Sequence, residues 1–145
     1  MKSGYQAGCR FKIAIASIAV AALLTGAGGL RAQEDSGGLL EVSRAAICTG
    51  IVDHEPVGQS VRYPATVGKV YCFSKISNIE SATSIQHVWY FGNSERARVK
   101  LPVKPPSWRT YSSKRIMPEQ TGRWRVEVLD FDGNVLKTLG FDIAP

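Results

Sequence analysis

Histidine and cysteine are scarce in this chain: two of the first and three of the second in 145 residues. No C-x-x-C or H-x-x-x-H pair occurs, so a zinc site assembled from Cys48, Cys72, His54 and His87 would have no local anchor. There is also no H-E-x-x-H helix and no glycine-rich phosphate loop. These gaps remove the common metalloprotease and nucleotide-binding readings and leave no cofactor or metal to assign. Internal repeats are missing, and so is any amphipathic helix beyond the N-terminal run.

Long apolar runs are confined to one place. Lys2, Arg10 and Lys12 precede Ile13 to Leu24, whose one polar member is Ser17. Such a run is shorter than the roughly 20 residues a membrane-spanning helix needs, although adding Thr25 to Leu30 would give a marginal span. A basic flank followed by a short apolar core reads as a signal peptide over residues 1–32, removed after Ala32 or Ala27. The alternative is a retained N-terminal anchor, which would be the molecule's one membrane contact. Either way the domain is placed in the periplasm or outside the cell. Gln33 to Gly38 is polar and glycine-rich, so residues 33–41 read as a flexible tether and residues 42–145 as the folded domain.

A large excess of charge of one sign is missing once the leader is set aside. Four of the 18 basic residues (Lys2, Arg10, Lys12, Arg31) go with it, leaving 14 against 12 acids, a net +2. A nucleic-acid partner, which requires a basic face on the folded domain, loses its support. The remaining cations are unevenly spread. Between Arg96 and Arg125 stand nine of them, with Glu119 the lone acid. Cys48 and Cys72 are the two cysteines past the leader, an even count that in an exported domain suggests a disulfide. Two buried thiols are the alternative.

What is present is alternation of period two. Ala97, Val99, Leu101 and Val103 alternate with Arg98, Lys100, Pro102 and Lys104. Trp124, Val126 and Val128 do the same against Arg123, Arg125 and Glu127. Five further runs, Val42 to Val52, Lys69 to Ile76, Ser84 to Phe91, Trp108 to Ile116 and Val135 to Ile143, complete about seven strands. "FGNSE" and "DFDGN" read as hairpin turns, "KPPS" and "MPEQTG" as longer corners. This pattern predicts an all-β domain, a seven-stranded antiparallel β-sandwich of immunoglobulin-like architecture behind an N-terminal leader helix.

Catalytic chemistry finds few residues. In "WRTYSSKRI" the S-x-x-K pattern would need serine where Tyr111 stands. Ser113 and Lys114 are neighbours on a strand and point to opposite faces. Ser112 and Lys114 share a face but lack a nucleophile elbow. Glu127, Asp130 and Asp132 cluster near the last hairpin, where Asp132 serves the turn. His87, between Ile85 and Trp89 on one strand face, reads as a hydrogen-bonded histidine at the core edge. An envelope hydrolase using His87 and a neighbouring serine is the enzymatic alternative.

Aromatics interleaved with cations form the remaining signal. Arg109, Tyr111, Ser113 and Arg115 share a strand face, and Arg98, Lys100, Arg123 and Arg125 project from theirs. If these strands adjoin, they form one basic platform carrying Arg98, Arg109, Tyr111, Ser113 and Arg125, with Tyr90 and His87 beside it. Trp108, next to Pro105-Pro106, is expected to anchor the core edge. The platform suits an envelope protein or an anionic glycan. The leading expectation is an exported, non-enzymatic binding module, with a structural accessory domain of an envelope complex as the second possibility.

Five ordered motifs carry a family resemblance: His87-Val88-Trp89-Tyr90, Leu101-Pro102-Val103, Trp108 to Lys114, Gly122-x-Trp124-Arg125-Val126-Glu127-Val128, and Asp132-Gly133. Together they resemble an uncharacterised bacterial family, the "2914" family of domains of unknown function, over about Ala45 to Ile143. The resemblance implies one compact domain in a C-terminal position and brings no activity, cofactor or catalytic residue. Cys72 falls within the family pattern and Cys48 outside it.

Overall fold

The computed structural model describes residues 39–145; the leader and residues 33–38 of the tether lie outside them. Ten strands follow in order: β1 (Glu41–Cys48), β2 (Gly50–Val52), β3 (Glu55–Val57), β4 (Arg62–Pro64), β5 (Lys69–Ser77), β6 (Thr83–Phe91), β7 (Ser94–Val103), β8 (Trp108–Arg115), β9 (Gly122–Leu129) and β10 (Val135–Ala144). No helix occurs among the described residues. The seven long runs of alternation are all strands, the first ending sooner than expected at Cys48. The rest of that run is the separate short strand β2, and the short strands β3 and β4 were not expected. β2 and β3 form a hairpin across Asp53 and His54, which take φ of 49° and 62°, as a two-residue turn of this hand requires. Asp53 suits the first position of such a turn, but His54 stands where glycine is favoured, and Pro56 argues against a strand, so the sequence hid this hairpin. β4 is too short for alternation to register.

The strands form a three-stranded sheet, β1-β5-β8, a five-stranded sheet, β4-β10-β9-β6-β7, and the β2-β3 hairpin. Every pairing is antiparallel except that of β4 with the end of β10, which is parallel. The inward faces of the two larger sheets share one core. Ile47, Val70 and Cys72 come from the first sheet and Trp89, Trp124, Val126, Phe141 and Ile143 from the second. Aromatic rings fill its centre: Phe141 stacks on Trp124 at 6.1 Å and meets Trp89 edge-on at 6.3 Å. Rings of this size remove the most apolar area per residue from water, at about 25 cal/mol per Å². A second cluster, Ile76, Ile79, Ile85, Val103 and Val128, extends the core toward one end.

Candidate functional site

The expected single platform does not form. Arg109, Tyr111 and Ser113 lie on β8, in the three-stranded sheet, whereas Tyr90, Arg98 and Arg125 lie on β6, β7 and β9 of the other. The outward faces of two sheets sharing a core point away from each other, so no ligand of ordinary size touches both sets. Alternation along one strand cannot reveal which sheet the strand joins.

On the five-stranded sheet Arg98, Arg123 and Arg125 are locally partnered. Arg98 donates to Glu95 at 2.9 Å and Gln86 at 2.8 Å. Arg125 donates to Glu127 at 3.3 Å and to the Gly92 carbonyl at 2.8 Å, its guanidinium lying 4.0 Å from the Tyr90 ring centre. Arg123 pairs with Asp142 at 3.2 Å. This face is laced by pairs both along strands, Arg98-Glu95 and Arg125-Glu127, and across them, Arg98-Gln86 and Arg123-Asp142.

The other face is different. Register places Arg44 of β1 opposite Lys75 of β5, and Lys75 opposite Arg109 of β8, so three cations stand in one row across three strands. Like charges directly opposite are unfavourable in a sheet. Among the described residues one acid offsets them: Glu55, at the start of β3, pairs with both Arg44 and Arg109, the latter at 3.2 Å. In the adjacent row Phe73 is buried on this outward face, with the Arg44 guanidinium 5.7 Å from its ring centre. Tyr71 and Tyr111 follow, their rings 6.1 Å apart, with Tyr111 48% exposed.

At the Arg109 end of the cation row opens a cleft of about 400 Å³, lined by His54, Lys75, Ser107, Trp108 and Arg109. Trp108 does not anchor the core edge as expected. It is 38% exposed, and Lys104 stands 5.7 Å from its ring centre. The reason is position: Trp108 opens β8 opposite Ile76, at the end of the sheet, where its ring leaves the core for the cleft wall. The hairpin turn, left-handed at His54, brings that residue into the cleft lining. Sequence reasoning found Arg109 but missed His54 and Lys75, because only folding of the β2-β3 hairpin and pairing of β5 with β8 bring them together. The Trp108-Arg109 pair beside the Pro105-Pro106 corner was the one local signal.

His87 is not available for binding. It is fully buried between the sheets, its Nε2 2.9 Å from the Ser74 hydroxyl and its Nδ1 2.8 Å from the Ser112 hydroxyl. Ser112 also accepts a hydrogen bond from Trp89 Nε1 at 3.0 Å. Burial lowers the His87 pKa to about 4, so the ring is neutral at ordinary pH. The arrangement supplies a histidine with neighbouring serines, as the hydrolase alternative required. It does not supply access, since the cation-row cleft, a groove along β1 and β10, and a hollow near Leu39 and Phe131 are all lined by other residues.

Cys48 and Cys72 are both free and buried, which corrects the disulfide reading. Register pairs Ile47 with Cys72 and Cys48 with Tyr71. Neighbours on a strand point to opposite faces, so Cys72 enters the core while Cys48 is directed to the far side of the sheet. Cys48 bonds there to the Tyr71 carbonyl at 3.8 Å. Burial raises both thiol pKa values, Cys72 the more strongly.

Residues 82–143 match the model of a family described as a protein of unknown function (DUF2914). This is the family to which the five motifs pointed. The match is shorter than the resemblance suggested, beginning at β6 and leaving β1 to β5 outside. Trp108 and Arg109 of the cleft fall within it; His54 and Lys75 do not. No curated protein matches the chain. Among solved structures, two of a beta-glucosidase from Kluyveromyces marxianus, one in complex with glucose, are similar over 73% and 74% of this chain. Identity is 13% in both, with TM-scores of 0.41 and 0.42, and the chain spans 14% of that enzyme. No catalytic family is identified.

Proposed function

We propose that this protein is a non-enzymatic binding module of the bacterial envelope, built on an immunoglobulin-like β-sandwich and exported by its N-terminal segment. In this reading the contact site is the cleft beside Trp108, and the ligand is an anionic glycan. The observation that carries the proposal is the cross-strand row Arg44-Lys75-Arg109, held by the single carboxylate of Glu55 and ending at an exposed tryptophan. A structure-only surface gains nothing from three aligned cations, whereas an anion-binding surface uses them directly. Lys104 adds a fourth positive charge. A planar guanidinium meets carboxylate or sulfate groups in bidentate fashion, and an exposed indole offers a flat apolar face to a sugar ring.

The test uses dextran sulfate and neutral dextran as probes, with polyglutamate as the acidic-polypeptide control. Retention of the wild type on dextran sulfate at low salt, lost at least tenfold in Lys75→Ala/Arg109→Ala and in Trp108→Ala, supports the reading. Equal loss of polyglutamate binding in Trp108→Ala would move the ligand class to acidic proteins. Unchanged dextran sulfate binding in both variants would refute the site.

A further inference from the structure

A second surface is built from main chain rather than charge. Segment Gln59 to Val61 crosses from one large sheet to the other: the Ser60 amide donates to the Ile47 carbonyl of β1 at 3.3 Å, and the Asp142 amide of β10 donates to the Val61 carbonyl at 2.9 Å. These two bonds fix the direction of the backbone groups on both strands. On β1 the groups of Ile47 face away from β5, and by alternation so do those of Ala45. On β10 the groups of Asp142 face away from β9, and so do those of Gly140 and Thr138. β4 covers β10 at Asp142 to Ala144 alone. Beyond the crossing segment, then, the edges of β1 and β10 both present ladder groups with no strand of the described residues beside them.

Between these edges lies a groove of about 620 Å³, larger than the cleft beside Trp108. Its apolar lining includes Leu139, which packs against both core clusters, and Val61, which is 72% exposed at the mouth. Lys137, also in the lining, enters none of the ion pairs of the described residues.

We infer that this groove receives an extended peptide segment of a partner protein, which adds as a strand to the free edge of β10 in line with β4. The chemistry selects the occupant. The unfilled groups are a backbone donor and acceptor at every second residue, a spacing that another strand reproduces and a compact small molecule does not. Alternate side chains of such a strand would turn toward Leu139 and Val61, and an acidic residue would meet Lys137.

A phage-displayed library of random octapeptides, panned on the full-length protein, provides the probe, and the selected peptides are measured by fluorescence anisotropy and amide hydrogen exchange. Enrichment of peptides with small apolar residues at alternate positions is expected, with exchange at Thr138 and Gly140 slowed at least tenfold on binding. Thr138→Pro, which removes an edge donor without breaking a bond to β9, and Val61→Lys, at an exposed position, should each weaken binding at least tenfold. Arg109→Ala should leave it unchanged. Failure to enrich any peptide, or binding indifferent to both groove variants, would overturn the proposal. So would slow exchange at Thr138 and Gly140 in the free protein. If that protection depends on protein concentration, a second copy fills the edge; if not, the chain's own N-terminal segment does.

Discussion

His87 shows how one buried polar residue sets a solution property. A neutral imidazole enclosed by Ser74, Ser112 and Trp89 leaves no polar side-chain atom of the site unpartnered. A charged one would have to be desolvated without a counter-ion. The folded-state pKa of about 4 lies below the ordinary 6.5, so between these values the unfolded chain binds more protons than the folded one. Stability is therefore full above about pH 6.5 and falls as pH drops toward 4, by on the order of 3 kcal/mol from this residue. Urea unfolding between pH 7 and pH 5, above most carboxylate titration, should show the slope in wild type and lose it in His87→Gln. An identical slope in the variant would place the titrating group elsewhere.

The β2-β3 hairpin is the element on which the cleft depends. It brings His54 to one wall and delivers Glu55 to the cation row. Its return depends on Gly58, at φ +68°, where an added Cβ would fall 2.0 Å from the Thr49 hydroxyl. No other residue fits that approach. Glu55 has two roles of opposite sign: it relieves repulsion along the row and competes with any incoming anion for Arg109. Glu55→Ala should thus lower stability by no more than about 1 kcal/mol, because the pairs are partly exposed, and added salt should restore part of the loss. The same variant should bind dextran sulfate more tightly than wild type. Weaker binding would show that Glu55 positions the arginines and does not mask them.

At the scale of the molecule, the two thiols report how the layers are held. Cys72 lies between the large sheets and Cys48 is directed to the other side of β1, so neither bridges the layers. The fold is held by its aromatic core and strand ladders. Peptide-mapped alkylation without reductant should find Cys48 and Cys72 unmodified in the native protein and both modified after denaturation, and reductant should leave the melting temperature unchanged. Absence of alkylation in the denatured, unreduced protein would establish a bond. The charge layout also belongs to this scale. The cations of Arg96 to Arg125, contiguous in sequence, are divided between two sheets with opposed outer faces.

The sequence by itself determined the seven long strands and, Trp108 apart, which of their residues face inward. Period-two alternation follows from strand geometry, and a residue such as Val126 or Ser112 is assigned a side by its parity whatever lies beside it. Turn chemistry marked the Gly92 and Gly133 hairpins because those positions need positive φ. Which strands adjoin was decided by tertiary structure alone, since pairing depends on contacts between residues far apart in the chain. β5, and not β9, lies next to β8, and that choice split the expected platform, aligned Lys75 with Arg109 and buried His87 against Ser112. The Cys48 and Cys72 outcome has the same origin. Their count and compartment suggested a bond, but a register pairing each with the other's neighbour sends their sulfurs to opposite faces of one sheet.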